Sequence, residues 1–424
     1  MGTRLVNIDR QTPMLLPPDL RDWVAQDDLV QLIVEAVELC DLRGARLNAR
    51  GSGSAQYPPS MMLGLLIYCY ATKIFSSRQI ERATYESVAV RYLCANHHPD
   101  HDTICGFRRQ NRELFERCLV QVLLLAKEAG VLRVGSIALD GTRLAGAGAK
   151  GAVRSLSDIE AELGELGAEL LAQAEAADAG EAGAQGTQLP QELGERSGRR
   201  AKLLAARETI EARRRAAREA GTCDQPGGAT RSTRASVSEP ESRTLRGAGQ
   251  GSPWVQGYNA QAASDAGGSG LILGAHLSDA ANDAGQICAG IGSMAVEVGH
   301  PAVVLADSGY DATADIARAE LEHGVLVLCP PQRRPNTRAG RQRQPVAQRR
   351  WERRRQMEAR LRCPLLGAIY RRRQSTAEGV FARIKGHLGF RRFHCWGLRG
   401  ASAEWQLLCL AHNCRQLARR RRRS

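Results

Sequence analysis

Aromatic residues are scarce, 4% of a chain of 424 residues. A core built from this sequence must be filled mainly by aliphatic side chains, alanine and cysteine. The 12 cysteines include no CxxC pair. Structural zinc sites use closely spaced ligand pairs, so the cysteines read as buried free thiols of a reducing compartment. No apolar run approaches the ~18 residues that suggest a membrane span. The opening "MGTRLVNIDRQTPMLLPPDL" has no continuous apolar core of the kind a secretory signal carries. The expectation is a cytoplasmic bacterial protein, associated with the nucleoid, of two or three domains.

Acids are nearly missing from one region. Residues 331–424 hold 26 of the 59 Lys and Arg but only 4 of the 45 Asp and Glu. The rest of the chain is acidic on balance. A basic block of this size reads as a contact for a polyanion, most readily nucleic acid. Its end, "RQLARRRRRS", is expected to be a flexible phosphate-binding arm.

Residues 15–130 show helical periodicity. Leu29, Leu32, Ile33, Ala36, Val37 and Cys40 share one face behind an N-cap at Asp27 or Asp28. "SMMLGLLIYCYATKIF" is apolar nearly all round and suits a central helix. "SSRQIERATYES" is a shorter charged helix, and one long helix is expected after "HHPDHD". The period then changes. "GSIALDG" reads as a strand and turn, and residues 155–220 as a helical hairpin. Ile159, Leu163, Leu166 and Leu170 form its seam, which is simplest to pack within the chain. From 254 the order is strand, strand, helix, strand, helix, strand, a basic stretch over 332–362, and final helices.

Three acids stand where chemistry is commonly placed. Asp140 and Asp307 end strands, and Glu378 lies on a late helix inside the basic block. Strand ends in open α/β sheets face a shared crevice. Carboxylates alone suit hard divalent ions. Two such ions can activate one oxygen and stabilise another in phosphodiester chemistry. Arginines would then hold the backbone while the acids hold the metal. Each acid also has a plain alternative: Asp140-Gly141 as a turn, Asp307 as a strand-end cap, Glu378 as a helix-dipole acid.

His97, His98 and His101 have no thiolates nearby and fit a polar helix entry better than a zinc site. Cys409, His412 and Cys414 are a weak exception to the lack of paired ligands. Arg108, Arg109 and Arg112 suit either phosphate contacts from a helix-turn-helix-like unit or a solvated face. Gln256, Tyr258, Asn259 and Gln261 are read as one polar strand face. Asp265 is a spare carboxylate near a hairpin turn.

The order and wording of "LLPPDLRDWVAQDDL", "PPSMMLGLLIYCYATKIFSSRQIERA", "VAVRYLCANHHPDHDTICGFRRQN", "ALDGTRLAGAGAK", "LADSGYD" and "AEGVFARIKGHLGFRRFHCWGLRG" resemble the DDE transposases of bacterial insertion sequences, in the IS-four-type superfamily with an InsH-type helical N-terminal domain. The resemblance implies an α/β fold in which a helical N-terminal domain (1–130) binds DNA. It implies an RNase H-like catalytic core (131–150 and 254–410), interrupted by a helical insertion (151–253) and followed by a basic tail (411–424). By motif, Asp140, Asp307 and Glu378 form the triad that binds Mg²⁺ or Mn²⁺. Lys385, Arg373, Arg391 and Arg392 would contact DNA, with Arg108, Arg109 and Arg112 in the N-terminal domain. The family's Tyr-Arg-Glu-Lys signature has gaps of two, three and six residues. Tyr370, Arg373, Glu378 and Lys385 have gaps of two, four and six, so Arg371 or Arg372 competes with Arg373. The implied partners are terminal inverted repeats and target DNA, met by a homodimer. The alternatives are a metal-dependent nuclease without strand transfer and a non-catalytic repressor.

Overall fold

The computed structural model describes residues 19–47, 56–148, 150–180, 191–219, 234–246, 254–332 and 345–422. Helix α1 (Leu29–Glu38) starts at Asp28, whose carboxylate accepts from Val30 N at 2.9 Å. It buries Val30, Ile33 and Val37. Helix α2 (Pro59–Ala71) opens with Pro at its first turn and is buried almost all round. Helices α3 (Ser77–Glu86) and α4 (Val88–Leu93) follow. The long helix expected next is two, α5 (His101–Gln110) and α6 (Arg112–Glu128). Asn111 leaves helical geometry between them. Its amide accepts from Arg46 N at 2.7 Å and donates to Arg46 O at 3.0 Å. A buried side chain holding a loop thus breaks the helix.

The sheet is mixed. Strand β1 (Ser136–Ala145) pairs antiparallel with β5 (Trp254–Asp265) and parallel with β7 (Val303–Leu305). β7 in turn pairs parallel with β8 (Leu326–Leu328). β5 also carries β4 (Arg243–Arg246) and β6 (Ile272–Ser278), both antiparallel. Helices α9 (Ile287–Gly292) and α10 (Thr313–Glu322) make the crossovers that parallel pairing demands. Between β1 and β5 lie β2 (Val153–Ser155), α7 (Leu156–Gly180), α8 (Gln191–Glu219) and β3 (Arg234–Ser236). Ile159, Leu163 and Leu166 of α7 pack on Leu203, Ala206 and Ile210 of α8, a small core of their own. The side chain of Leu170 lies outside the described residues.

The basic stretch contains helix α11 (Pro345–Arg362), which is followed by α12 (Pro364–Arg373). A π turn over Gln374–Glu378 continues α12 into the short α13 (Gly379–Ala382), and a second π turn covers Arg383–His387. The last helix, α14 (Gly397–Arg421), crosses the boundary expected at 410. Its arginines are tied down rather than free. Arg415 donates to Ala71 O, Arg420 to Ser269 O, Arg421 to Glu35 and Arg422 to Asp27 O. The flexible arm is therefore, through Arg422, an anchored helix end. Arg423 and Ser424 lie outside the described residues.

One hydrophobic cluster joins the N-terminal helices, the sheet and α14. Within it sits Glu404 of α14, with 0% exposure. Its carboxylate accepts from Tyr70 OH at 2.7 Å, His394 N at 2.7 Å and Cys395 N at 2.9 Å, and bonds His394 Nδ1 at 3.0 Å. Arg108 lies 4.0 Å away and donates to Tyr70 OH and Phe75 O. Burial pushes the Glu404 pKa up, but the His394 hydrogen bond and the Arg108 charge outweigh it and hold the group below the ordinary range. Removing one partner strands the other in the core. Glu404→Ala and Arg108→Met should each cost about 3–5 kcal/mol in denaturant unfolding. The double variant should cost clearly less than their sum; additive losses would show the pair is uncoupled.

Candidate active site

Asp140 does not end its strand. β1 continues to Ala145, and the true boundary is that β7 stops pairing at Ala138↔Leu305. Asp140 thus lies on the part of β1 that overhangs its parallel neighbour. Asp307 follows β7 by two residues, so both acids reach the same sheet edge. The Asp307 carboxylate caps the turn after it, accepting from Gly309 N at 2.7 Å. Cys329 donates to Asp307 O at 3.0 Å, and Tyr370 of α12 donates to Ala306 O at 3.3 Å. Tyr370 thereby fixes α12 to the backbone beside Asp307.

The π turn resolves the spacing of the signature. In an unbroken α-helix of ~3.6 residues per turn, residues five apart point roughly 140° away from each other. A π turn absorbs one residue and returns the flanks to a common face. Arg373 precedes this turn and Glu378 ends it, and Arg373 Nη2 lies 3.8 Å from Glu378 Oε1. Arg373 is 15% exposed, whereas Arg371 and Arg372 are exposed. Arg373 Nη1 is buried and has no hydrogen-bond partner among the described residues. The turn packs against β1 and β5. Val380 and Ile384 are buried beyond it, and Phe381 stacks on Trp405 with centroids 6.3 Å apart. Phe381 is thus a core anchor.

Burial pushes the Asp140 pKa up to about 6. Arg373 opposes the rise, and the charges of Asp307 and Asp283 add to it. Lys385 is lowered, first by burial and then by Arg143 and Arg391, with Asp140 opposing. Lys385 thus lies within electrostatic reach of Arg143, Arg391 and Asp140. Arg391 and Arg392 are exposed, on a segment paired to the end of β1 through Ala145 N to Arg391 O at 3.1 Å. The oxygens of Asp140, Asp307 and Glu378 do not all lie within 4.8 Å of one another; among the described residues only Cys288, Glu322 and His323 meet that limit. Those three stand apart, with Arg318 Nε donating to the Cys288 thiol at 3.2 Å.

Sequence reasoning missed Asp283. It accepts from Asn259 Nδ2 at 2.8 Å and Gln261 Nε2 at 2.6 Å. The expected single polar face of β5 is in fact two. Asn259 and Gln261 turn to Asp283, while Gln256 donates to Ser242 and Tyr258 to Glu239. Strand alternation requires this split. Two amides on one face of a buried strand were the available signal.

Other expectations change. Arg108 is 2% exposed and bound inside the protein, so it is not available to phosphate. Arg109 is exposed, and Arg112 pairs with Glu116 at 2.8 Å. His98 stacks on Tyr85 and His101 bonds Glu81 at 2.8 Å, as suits a polar helix entry. Cys409, His412 and Cys414 are buried in α14, where His412 bonds Gly270 O. Asp265 caps the β5–β6 turn through Gly267 N and Ser269 N. No helix among the described residues is long and apolar enough to cross a membrane.

A mixed α/β core with acids at one sheet edge and cations beside them is thus joined to a helical N-terminal region. Two family models match these parts. Residues 18–110 match the transposase domain called DUF772, and residues 223–414 match the transposase DDE domain. Together the two matches indicate an insertion-sequence DDE transposase. The DDE match takes in Asp307 and Glu378 and begins after Asp140. No curated protein and no solved structure matches the chain.

Two tests follow from this geometry. A carboxyl raised by folding favours the fold below its ordinary pKa and opposes it as pH rises through the raised value. Asp140→Asn should therefore raise the melting temperature of metal-free protein at pH 7.5 and leave it nearly unchanged at pH 4. The gain is on the order of 2–3 kcal/mol; equal effects at both pH values would contradict the raised pKa. Deleting Ser375 should convert the π turn to regular helix with Arg373 and Glu378 still on one face. That variant should keep wild-type stability within about 1 kcal/mol, whereas inserting an alanine there should cost more than about 2.

Proposed function

We propose that the chain cuts DNA at the ends of its element and joins the freed 3′ hydroxyl to target DNA. The observation that carries this reading is the convergence of Asp140, Asp307 and Arg373, with Glu378 paired to that arginine, beside the Lys385, Arg143 and Arg391 cations. The order β6-β5-β1-β7-β8, antiparallel on one side of β1 and parallel on the other, supports reading the core as RNase H-like.

Asp140, Asp307 and Glu378 would hold a divalent metal. The donor set fits, being all carboxylate oxygen with no histidine or thiolate, and this favours Mg²⁺ or Mn²⁺. When bound, such ions supply an activated oxygen nucleophile and charge stabilisation at the leaving oxygen. The residues of the chain do the rest. Arg373 lies between Asp140 and Glu378 and offsets their charge. Lys385, with Arg143, Arg391 and Arg392, draws the DNA backbone across the sheet edge. Asp140 must be ionised to serve as ligand, so activity should fall as pH drops through about 6.

The N-terminal helices would bind the terminal repeats, with Arg109 and Arg112 as contacts in place of Arg108. Two copies would act together, one per element end, on DNA in the cytoplasm. The deciding assay supplies pre-cut element ends, target DNA and Mg²⁺. Joined product that disappears by at least ~100-fold in Asp140→Asn, Asp307→Asn and Glu378→Gln is the expected outcome. Cutting without joining would identify a nuclease instead, and DNA binding with neither activity a repressor.

A further inference from the structure

We propose that Asp283 is a fourth acid of this site, a positioning residue that sets the separation of the segments bearing Asp140 and Asp307. This rests on the metal-binding reading above. Both amide donors, Asn259 Nδ2 and Gln261 Nε2, reach the same oxygen, Asp283 Oδ1. That oxygen lies directly over Gly141, the residue after Asp140. A Cβ on Gly141 would clash with both Asp283 Oδ1 and Gln261 Nε2. Glycine at 141 therefore serves a close approach, not a turn. The other oxygen, Oδ2, lies towards the second acid. A Cβ on Gly309 would stand 3.6 Å from Asp283 Oδ2 and 2.9 Å from Asp307 Oδ1.

The contacts continue across the sheet. Tyr310, three residues after Asp307, donates its hydroxyl to Gln261 Oε1. Gln261 pairs in register with Gly141 on β1. A chain of bonds thus runs Tyr310, Gln261, Asp283 and ties the Asp307 turn to the strand that carries Asp140. Buried networks of this kind hold their members in one arrangement only when every partner is present. Carboxylates that bond or abut metal ligands fix those ligands in the same way.

Two substitutions test the positioning role. Asp283→Asn keeps an Oδ1 acceptor for both amides, and Asp283→Ala removes it. Mn²⁺ binding to the full chain at pH 7.5, followed by the electron-spin resonance of free Mn²⁺, reads the effect without needing catalysis. Asp283→Ala should weaken Mn²⁺ affinity by roughly 10-fold or more, and Asp283→Asn should restore most of it. Wild-type affinity in Asp283→Ala, or a loss in Asp283→Asn as large as in Asp283→Ala, would overturn the proposal. Should Asp283→Ala not fold, Tyr310→Phe decides: it cuts the bond to Gln261 Oε1 and should weaken Mn²⁺ binding, and wild-type affinity there overturns the proposal. Asp307→Asn serves as the control. If it binds Mn²⁺ as wild type does, the triad reading itself fails, a result distinct from failure at Asp283 alone.

Discussion

Everything at the sheet edge depends on a carboxylate far from it. Glu404 is buried with Arg108, Tyr70 and His394 where the N-terminal helices, the segment after Lys385 and α14 meet. A lone ionised group there would be expensive, and the groups that surround it come from three separate stretches of chain. α2, α5 and the 394–395 loop can close only around one another. α14 then presents Trp405, whose indole donates to Gln261 O at 3.0 Å, and on which Phe381 stacks. In this way a buried ion pair in one part of the core fixes the strand and the helix that carry the site.

On the proposed function the site balances two demands. Like charges would have to be close enough to share a cation, and folding must tolerate them before one arrives. Arg373 meets part of this demand, lying near Asp140 and pairing with Glu378. The residual strain appears in the raised carboxyl of Asp140. Such a site is stabilised by what it binds. The cations on the far side of Asp140 show the opposite pressure, since Lys385 is held near Arg143 and Arg391. A polyanion relieves that crowding.

The elements with strong periodic signals were legible in the sequence. α1, α2, the β5–β6 hairpin and the α7–α8 pair fall where the pattern puts them. Asp140 and Asp307 were found because acids at the ends of apolar runs are conspicuous. What was hidden needed tertiary information. Asn111 breaks a helix because it holds a distant loop, which no local propensity reveals. Arg108 looks like its exposed neighbour Arg109 until Glu404, 296 positions later in the chain, is seen beside it. Asp283 lies in a loop, and its partners are spread over two strands and a turn. The spacing of Arg373 and Glu378 misled because residue counting assumes α geometry, and the helix is not α there.

The anchored end of α14 changes how the charge of this protein should be counted. A sequence tally treats every arginine in the last quarter as available to DNA. Arg415, Arg420, Arg421 and Arg422 instead close carbonyls and carboxylates of the protein's own surface. Each such contact is one fewer counterion to be released when DNA binds. On the proposed function, the polyanion would meet a narrower track than composition suggests, centred on the sheet edge rather than spread along a tail. Attraction confined to that track would bring the sugar-phosphate backbone in over the acids instead of scattering it across the surface.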